Sequence, residues 1–244
     1  MLTIILLFAA LVYGQEPETL FKQGVEQYRQ GNWEGAAKSW ETVRGQGEVS
    51  GALYYNLGNA YHRMGQIGRS ILFFERAKRL TPRDRDVQSN LDLAKMATVD
   101  RIEPPVRLVI WDWVDDVRDF FSLNELARNV LAVGMMLIVL YVVWRFGPLR
   151  FRPTAQKVFT ACAVLYILGV SWYFWRSHLD SRPEAVVIET KVDVYSAPDS
   201  AATQVFTLHE GTKVSMLDHL TGWTRVRLPD GRQGWMPTET MEQI

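Results

Sequence analysis

The sequence predicts a multidomain membrane protein: an all-α region, two transmembrane helices and an all-β C-terminal domain. Three observations predict it. Val130–Trp144 carries no charge in fifteen residues and Val158–Trp175 none in eighteen. Upstream of them the chain repeats itself at a period of 34 residues. Downstream, apolar and polar residues alternate in short runs rich in Val, Leu and Trp.

Extending the first apolar run to Leu126–Phe146 adds only Arg128 and Arg145. At about 1.5 Å per helical residue the charge-free cores cover roughly 22 and 27 Å, against a hydrocarbon layer of about 30 Å. Arg128 and Arg145 make up the shortfall of the first by snorkelling from its ends. A buried hairpin in a soluble core is the alternative, but it would have to hide two helices that are apolar all round. Neither flank has the bulk for that. Residues 126–146 and 158–175 are therefore predicted to span, with 147–157 as the loop between them. Arg145, Arg150, Arg152 and Lys157 stand in a stretch without Asp or Glu, which makes the loop cytoplasmic by the positive-inside rule. Both large flanks then lie outside the cytoplasm, on a bacterial inner (cell) membrane.

Formal net charge is +0 and mean hydropathy is −0.08, an average of polar flanks and two apolar helices. No basic stripe occurs outside the loop, which excludes nucleic acid as a partner. The one cysteine, Cys162, falls inside the second apolar run; it can form no intrachain disulfide and reads as a small packing residue. Residues 1–14 have the short apolar run of a signal peptide, Leu2–Val12 broken only by Thr3. Val12 and Gly14 suit cleavage before Gln15. Because no Lys or Arg precedes the run, an uncleaved anchor is the alternative.

Across residues 15–99, Gly24 recurs as Gly58, Gly31 as Gly65, Ala36 as Ser70 and Trp40 as Phe74. The second unit carries Tyr54, Leu57, Gly58, Tyr61, Ser70, Phe74, Ala77 and Pro82. This pattern resembles the tetratricopeptide repeat. Small residues at Gly58 and Ser70 let two helices of a unit approach, Tyr61 and Phe74 fill the space between them, and Pro82 stops the second. The first unit lacks the proline and has Gln27 in place of Tyr61. Asp84–Ala97 reads as a terminal helix covering the exposed end of a two-repeat solenoid.

The resemblance implies a concave face from defined positions of each first helix. Those positions are Phe21, Val25 and Tyr28, then Tyr55, Asn59 and His62, with Ser89 and Leu93 on the end helix. Phe21, Tyr28, Tyr55, Asn59 and His62 are the partner-binding candidates, forming a groove for an extended or helical peptide. The alternative is an ordinary surface on which Asn59 is the usual residue of the repeat. No lysine stands at the position that would clamp a C-terminal carboxylate.

Glu103-Pro104-Pro105 breaks the helical pattern and opens a linker over residues 100–125. Within it Val109, Ile110, Trp113, Val114, Val117, Phe120 and Phe121 recur at helical spacing, while Asp112, Asp115, Asp116, Arg118 and Asp119 fall largely between them. This predicts an amphipathic helix lying in the membrane interface or packed on a partner's membrane segment. Ser122 and Glu125 fit a capping box for the first spanning helix.

Residues 176–183 form a second linker, and 184–244 turn to strand-like alternation. Val186–Glu189, Val192–Tyr195, Val205–Leu208, Val214–Leu217 and Trp223–Leu228 are strand-length, and Pro229-Asp230-Gly231 makes a hairpin into Gln233–Met236. About five short strands in such a length predict a small barrel. The series Val194–Pro198, Leu208–Val214, Gly222–Leu228 and Asp230–Pro237 resembles the bacterial SH3-like domain, a family that the resemblance links to cell-wall peptides or adaptor roles. Tyr195 and Trp235 are the candidate ligand surface, with Trp235 as a barrel-building residue the alternative; Trp223 is expected to help build the barrel instead.

His62, His178, His209 and His219 are scattered without metal-ligand spacing. No phosphate loop, nucleophile elbow or zinc-protease motif occurs, so neither an enzyme nor a cofactor is expected. The order of signal, tetratricopeptide pair, Trp-rich segment, basic-looped hairpin and SH3-like tail is similar to that of the BatE-like proteins of bacterial aerotolerance operons. That resemblance implies a non-catalytic scaffold in envelope stress tolerance. Its implied partners are membrane proteins with von Willebrand A domains and related operon products, including a MoxR-type ATPase. The other function kept open is a cell-wall sensor binding peptidoglycan through the SH3-like domain.

Overall fold

The computed structural model describes residues 16–102, 108–180 and 183–244. The expected signal segment 1–14 and the Glu103-Pro104-Pro105 break lie outside these residues. Two compact units result: among the described residues, those up to 102 and from 184 form one, and 108–180 with 183 form the other.

In the first unit five helices follow one another: α1 (Pro17–Arg29), α2 (Trp33–Gly45), α3 (Gly51–Arg63), α4 (Ile67–Leu80) and α5 (Arg85–Met96). Their starts are written in the sequence. Pro17 opens α1, where its missing N–H costs nothing. Asn32, Ser50 and Asp84 each accept a bond from a backbone N–H of the turn they begin. The two helices of each repeat meet over a glycine. A Cβ on Gly24 would sit 2.4 Å from the Trp40 ring, and one on Gly58 would sit 2.6 Å from Phe74. Ser70 Oγ donates to the Gly58 carbonyl at 2.9 Å, so its small side chain also ties the pair. Gln27, standing where Tyr61 stands in the second repeat, accepts a bond from Ser39 at 2.8 Å.

The β segment folds as β1 (Glu184–Val187), β2 (Lys191–Tyr195), β3 (Gln204–His209), β4 (Lys213–Leu220), β5 (Trp223–Arg227), β6 (Gln233–Pro237) and β7 (Met241–Gln243). They make one antiparallel sheet in the order β3-β2-β6-β5-β4-β1-β7. A single aliphatic cluster runs from Ala185 and Val187 through Val192, Val194, Leu208, Val214, Val226 and Met236 to Met241. Every strand feeds it, so the sheet curls around one core. Where a small barrel was expected, the strands form a seven-stranded sheet with β3 and β7 at its ends. The three-residue β7 is too short to show alternation in sequence.

The repeats and the sheet were expected as separate modules, yet they share a core. Val186 packs with Ile71, Leu72, Leu91 and Ala94, and Ile188 and Ile244 border the same cluster. Ion pairs ring this seam. Glu75, almost fully buried, lies 2.7 Å from Lys95 and 3.4 Å from Lys213, which also reaches Glu184 at 2.9 Å. Burial alone would raise the Glu75 carboxyl, but Lys213, Lys95 and Lys78 outweigh it and hold it at about 2. Asp100 and Ile102, expected as the start of a linker, belong to this seam too. The Asp100 carboxylate accepts from His209 N–H at 2.7 Å and Thr212 Oγ1 at 2.6 Å, and Ile102 packs on the sheet core.

The second unit contains α6 (Val109–Asp119), α7 (Leu123–Phe146), a 3-10 turn (Leu149–Phe151) and α8 (Arg152–Asp180). Ser122 caps α7 in a capping box with Glu125. Helices α7 and α8 pack side by side, with Gly134 against the Tyr166 ring and Gly169 against Val130. Both are long and apolar enough to cross a membrane. Within the expected loop 147–157, α8 already begins at Arg152. Pro153 is tolerated in a first turn, and the Arg152 guanidinium donates back to the carbonyls of Gly147 and Arg145 at 3.4 and 3.3 Å.

Candidate functional site

The concave side of the repeats holds a cavity of about 440 Å³ lined by Tyr28, Tyr55, Asn59, His62, Arg63, Phe74, Asn90 and Leu93. That volume lies within the ~300–1,000 Å³ usual for ligand sites. Helix α1 supplies Tyr28, whose ring stands edge-on to Trp33 with centroids 4.6 Å apart. Helix α3 supplies Tyr55, Asn59 and His62 at helical spacing of four and three, which puts them on one face. Helix α5 closes the far wall.

Asn90 organises the wall. Its Nδ2 donates both to Tyr55 Oη and to Asn59 Oδ1, each at 3.0 Å. Among the described residues Tyr55 Oη and Asn59 Oδ1 act here as acceptors, so the Tyr55 O–H and the Asn59 amide N–H groups remain able to donate. His62 Nδ1 is buried and makes no hydrogen bond among the described residues. The Arg63 guanidinium lies 5.6 Å above the Trp33 ring at the rim.

Four of the five predicted groove residues, Tyr28, Tyr55, Asn59 and His62, line one cavity. Phe21 does not join them. It lines a separate cavity of about 350 Å³ with Pro17, Val43, Glu48, Ser50 and Leu53, two turns, or about 10 Å, along α1 from Tyr28. Leu93 lines the groove as expected, while Asn90 takes the place expected of its neighbour Ser89. Sequence reasoning missed Asn90 and Arg63; a polar Asn between Ser89 and Leu91 was the available signal for the former.

On the sheet, Tyr195 of β2 pairs in register with Trp235 of β6, and Trp235 with Arg225 of β5. The Tyr195 and Trp223 rings meet edge to face at 5.7 Å. Trp223 was expected to build the core, but alternation along β5 turns Thr224 and Val226 inward and leaves Trp223 half-exposed. Tyr195, Trp223 and Trp235 therefore share the side of the sheet that faces away from its aliphatic core. Among the described residues no three His, Cys, Asp or Glu side chains gather as a metal site.

Comparison with known families agrees with this geometry at two places. Residues 51–84 match the tetratricopeptide repeat, and residues 190–242 match the bacterial SH3 domain. The chain matches no curated protein. The first match covers α3, α4 and the turn after them; the second covers most of the sheet, from the turn before β2 through Glu242. A tetratricopeptide repeat is a protein-interaction module, and a bacterial SH3 domain points to the cell wall.

Proposed function

We propose that the protein is a non-catalytic, membrane-anchored scaffold that recruits envelope proteins through the groove of its repeats. Helices α7 and α8 are the anchor, and the basic residues Arg145, Arg150, Arg152 and Lys157 hold the turn between them in the cytoplasm. The repeats and the sheet then work outside it. The observation that carries the reading is the convergence of Tyr55, Asn59 and Asn90 on one cavity, with hydrogen-bond donors left over beside an aromatic wall. Aromatics supply buried area and the amides fix a peptide backbone. By its resemblance to the BatE-like proteins, its partners are membrane proteins with von Willebrand A domains, in aerotolerance or envelope stress. The second reading, a cell-wall sensor, is favoured by the aromatic face of Tyr195, Trp223 and Trp235.

In-cell crosslinking of the full chain separates the two. Deleting residues 184–244 is a poor control, because Val186 and Ile244 belong to the core beneath α4 and α5. Point variants avoid this. Truncating an aromatic anchor typically costs about 2 kcal/mol or more, so Tyr55→Ala with Asn59→Ala lowers partner capture more than tenfold. Tyr195→Ala with Trp235→Ala leaves it unchanged. The reverse pattern, with loss of binding to purified peptidoglycan in the sheet variant, moves the role to the sheet.

A further inference from the structure

We infer that α6 is an in-plane membrane helix whose Val109, Ile110, Trp113 and Val117 face enters the headgroup layer at the Ser122 end of α7. The inference rests on the spanning assignment of α7 and α8. At about 100° per residue these four side chains fall within one arc, with Asp115, Arg118 and Asp119 on the other side. All four are uncovered, at 81, 62, 65 and 38% exposure. Such a face in water is costly, and two observations identify what covers it.

The first is depth. Arg176 directly follows the charge-free run 158–175, so it stands at the edge of the hydrocarbon. The residue is only 6% exposed. Its Nη1 lies 3.0 Å from Asp119 Oδ1 and donates to the Arg118 carbonyl. The last turn of α6 is therefore tied to the boundary of the bilayer by a cation at the end of the second span. The second is continuity. Only Phe120, Phe121 and Ser122 separate α6 from α7, and the two rings lock edge to face at 4.9 Å. So short a connection keeps α6 at the depth where α7 begins.

The charge of the helix decides the lipid class. Asp115, Asp116 and Asp119 outnumber Arg118, so anionic headgroups repel the polar side and apolar burial alone holds the helix. Zwitterionic lipid is the surface it fits.

The test uses the full chain with Cys162→Ala, reconstituted in phosphatidylcholine vesicles. Single spin labels are placed on Trp113→Cys, Asp115→Cys and, as a reference in the middle of α7, Ile138→Cys. Collision with oxygen, which partitions into lipid, is compared with collision with a water-soluble nickel chelate. The expected result is oxygen preference at 138 and 113 and nickel preference at 115. Ile110→Cys repeats the measurement if Trp113→Cys disturbs the helix. Equal nickel access at 113 and 115 places α6 in water and overturns the inference, while oxygen preference at 138 keeps the spans. A label at 113 shielded from both reagents means a protein covers the face, which also overturns it. Nickel access at 138 removes the spanning assignment itself.

Discussion

Gly68 and Val187 meet so closely that a Cβ on Gly68 would lie 2.7 Å from the Val187 carbonyl oxygen. The first turn of α4 thus sits on the end of β1. Gln66 precedes α4 without a side-chain cap of its own, and the Glu210 carboxylate supplies one, accepting from the Gly68 N–H at 2.9 Å. An acidic group is favoured at a helix N-terminus by the exposed N–H groups and the dipole. One module therefore completes a helix of the other.

Gly68→Ala is expected to wedge this seam open. The opposing atom is backbone and cannot rotate away, so overpacking costs roughly 1–3 kcal/mol. Glu210→Ala removes only the cap, at about 1 kcal/mol. Hydrogen exchange of the full chain in detergent reads the outcome. Amides of both α4 and β1 exchange faster in Gly68→Ala; a change confined to the sheet would mean that the two modules fold independently.

Glu75 makes the same seam sensitive to acid. Its carboxyl, ordinarily at 4.5, is held at about 2 in the folded chain. A depressed folded value means that the stabilisation is complete above 4.5 and disappears as pH falls from there towards 2. At ~1.4 kcal/mol per pH unit this is worth up to roughly 3 kcal/mol. Glu75→Gln removes the anion that Lys95 and Lys213 face and leaves Lys213 only its pair with Glu184. Urea unfolding at neutral pH is expected to weaken by about that amount, and the loss of stability of the parent between pH 4.5 and 2 is expected to flatten in the variant. An unchanged pH profile would place the acid sensitivity elsewhere.

The topology is tested by thiol labelling in the Cys162→Ala background. Val49, Thr154 and Ser200 are exposed positions in the repeats, at the start of α8 and before β3. Cysteines at 49 and 200 are expected to react with an impermeant maleimide on spheroplasts, and one at 154 only after permeabilisation. Reaction at 154 in sealed cells would invert the arrangement.

The helical period was legible because it is local. Gly58 against Phe74 and Gly24 against Trp40 follow from a repeat in which a small residue faces an aromatic sixteen positions on. The groove was legible for the same reason wherever one helix carries it, as α3 carries Tyr55, Asn59 and His62. The seam was not, because it joins residues more than a hundred positions apart. One signal did exist. Ala185-Val186-Val187-Ile188 is an unbroken apolar run where a one-sided strand alternates. Ala185 and Val187 fill the sheet core, and Val186 turns to Ile71 and Leu91. Trp223 was misassigned for the opposite reason: size argued for the core, and the register of β5 decided against it.

Asn90 is the groove residue with the most specific consequence. It touches Tyr55 and Asn59 through one nitrogen, so its loss frees both from their common position. All three are half-buried, and water can replace the lost bonds, which limits the cost to the fold to about 1 kcal/mol. Binding depends on geometry as well as on the presence of donors. Asn90→Ala is therefore expected to lower partner capture in cells by about tenfold, equivalent to ~1.4 kcal/mol, while the helical melt of the full chain moves little. Residues of one hydrogen-bonded set are not additive. Asn90→Ala added to the Tyr55→Ala, Asn59→Ala pair should then lose hardly more than that pair alone. If the two losses instead multiply, Asn90 meets the partner directly, and its role is contact, not the positioning of Asn59 and Tyr55.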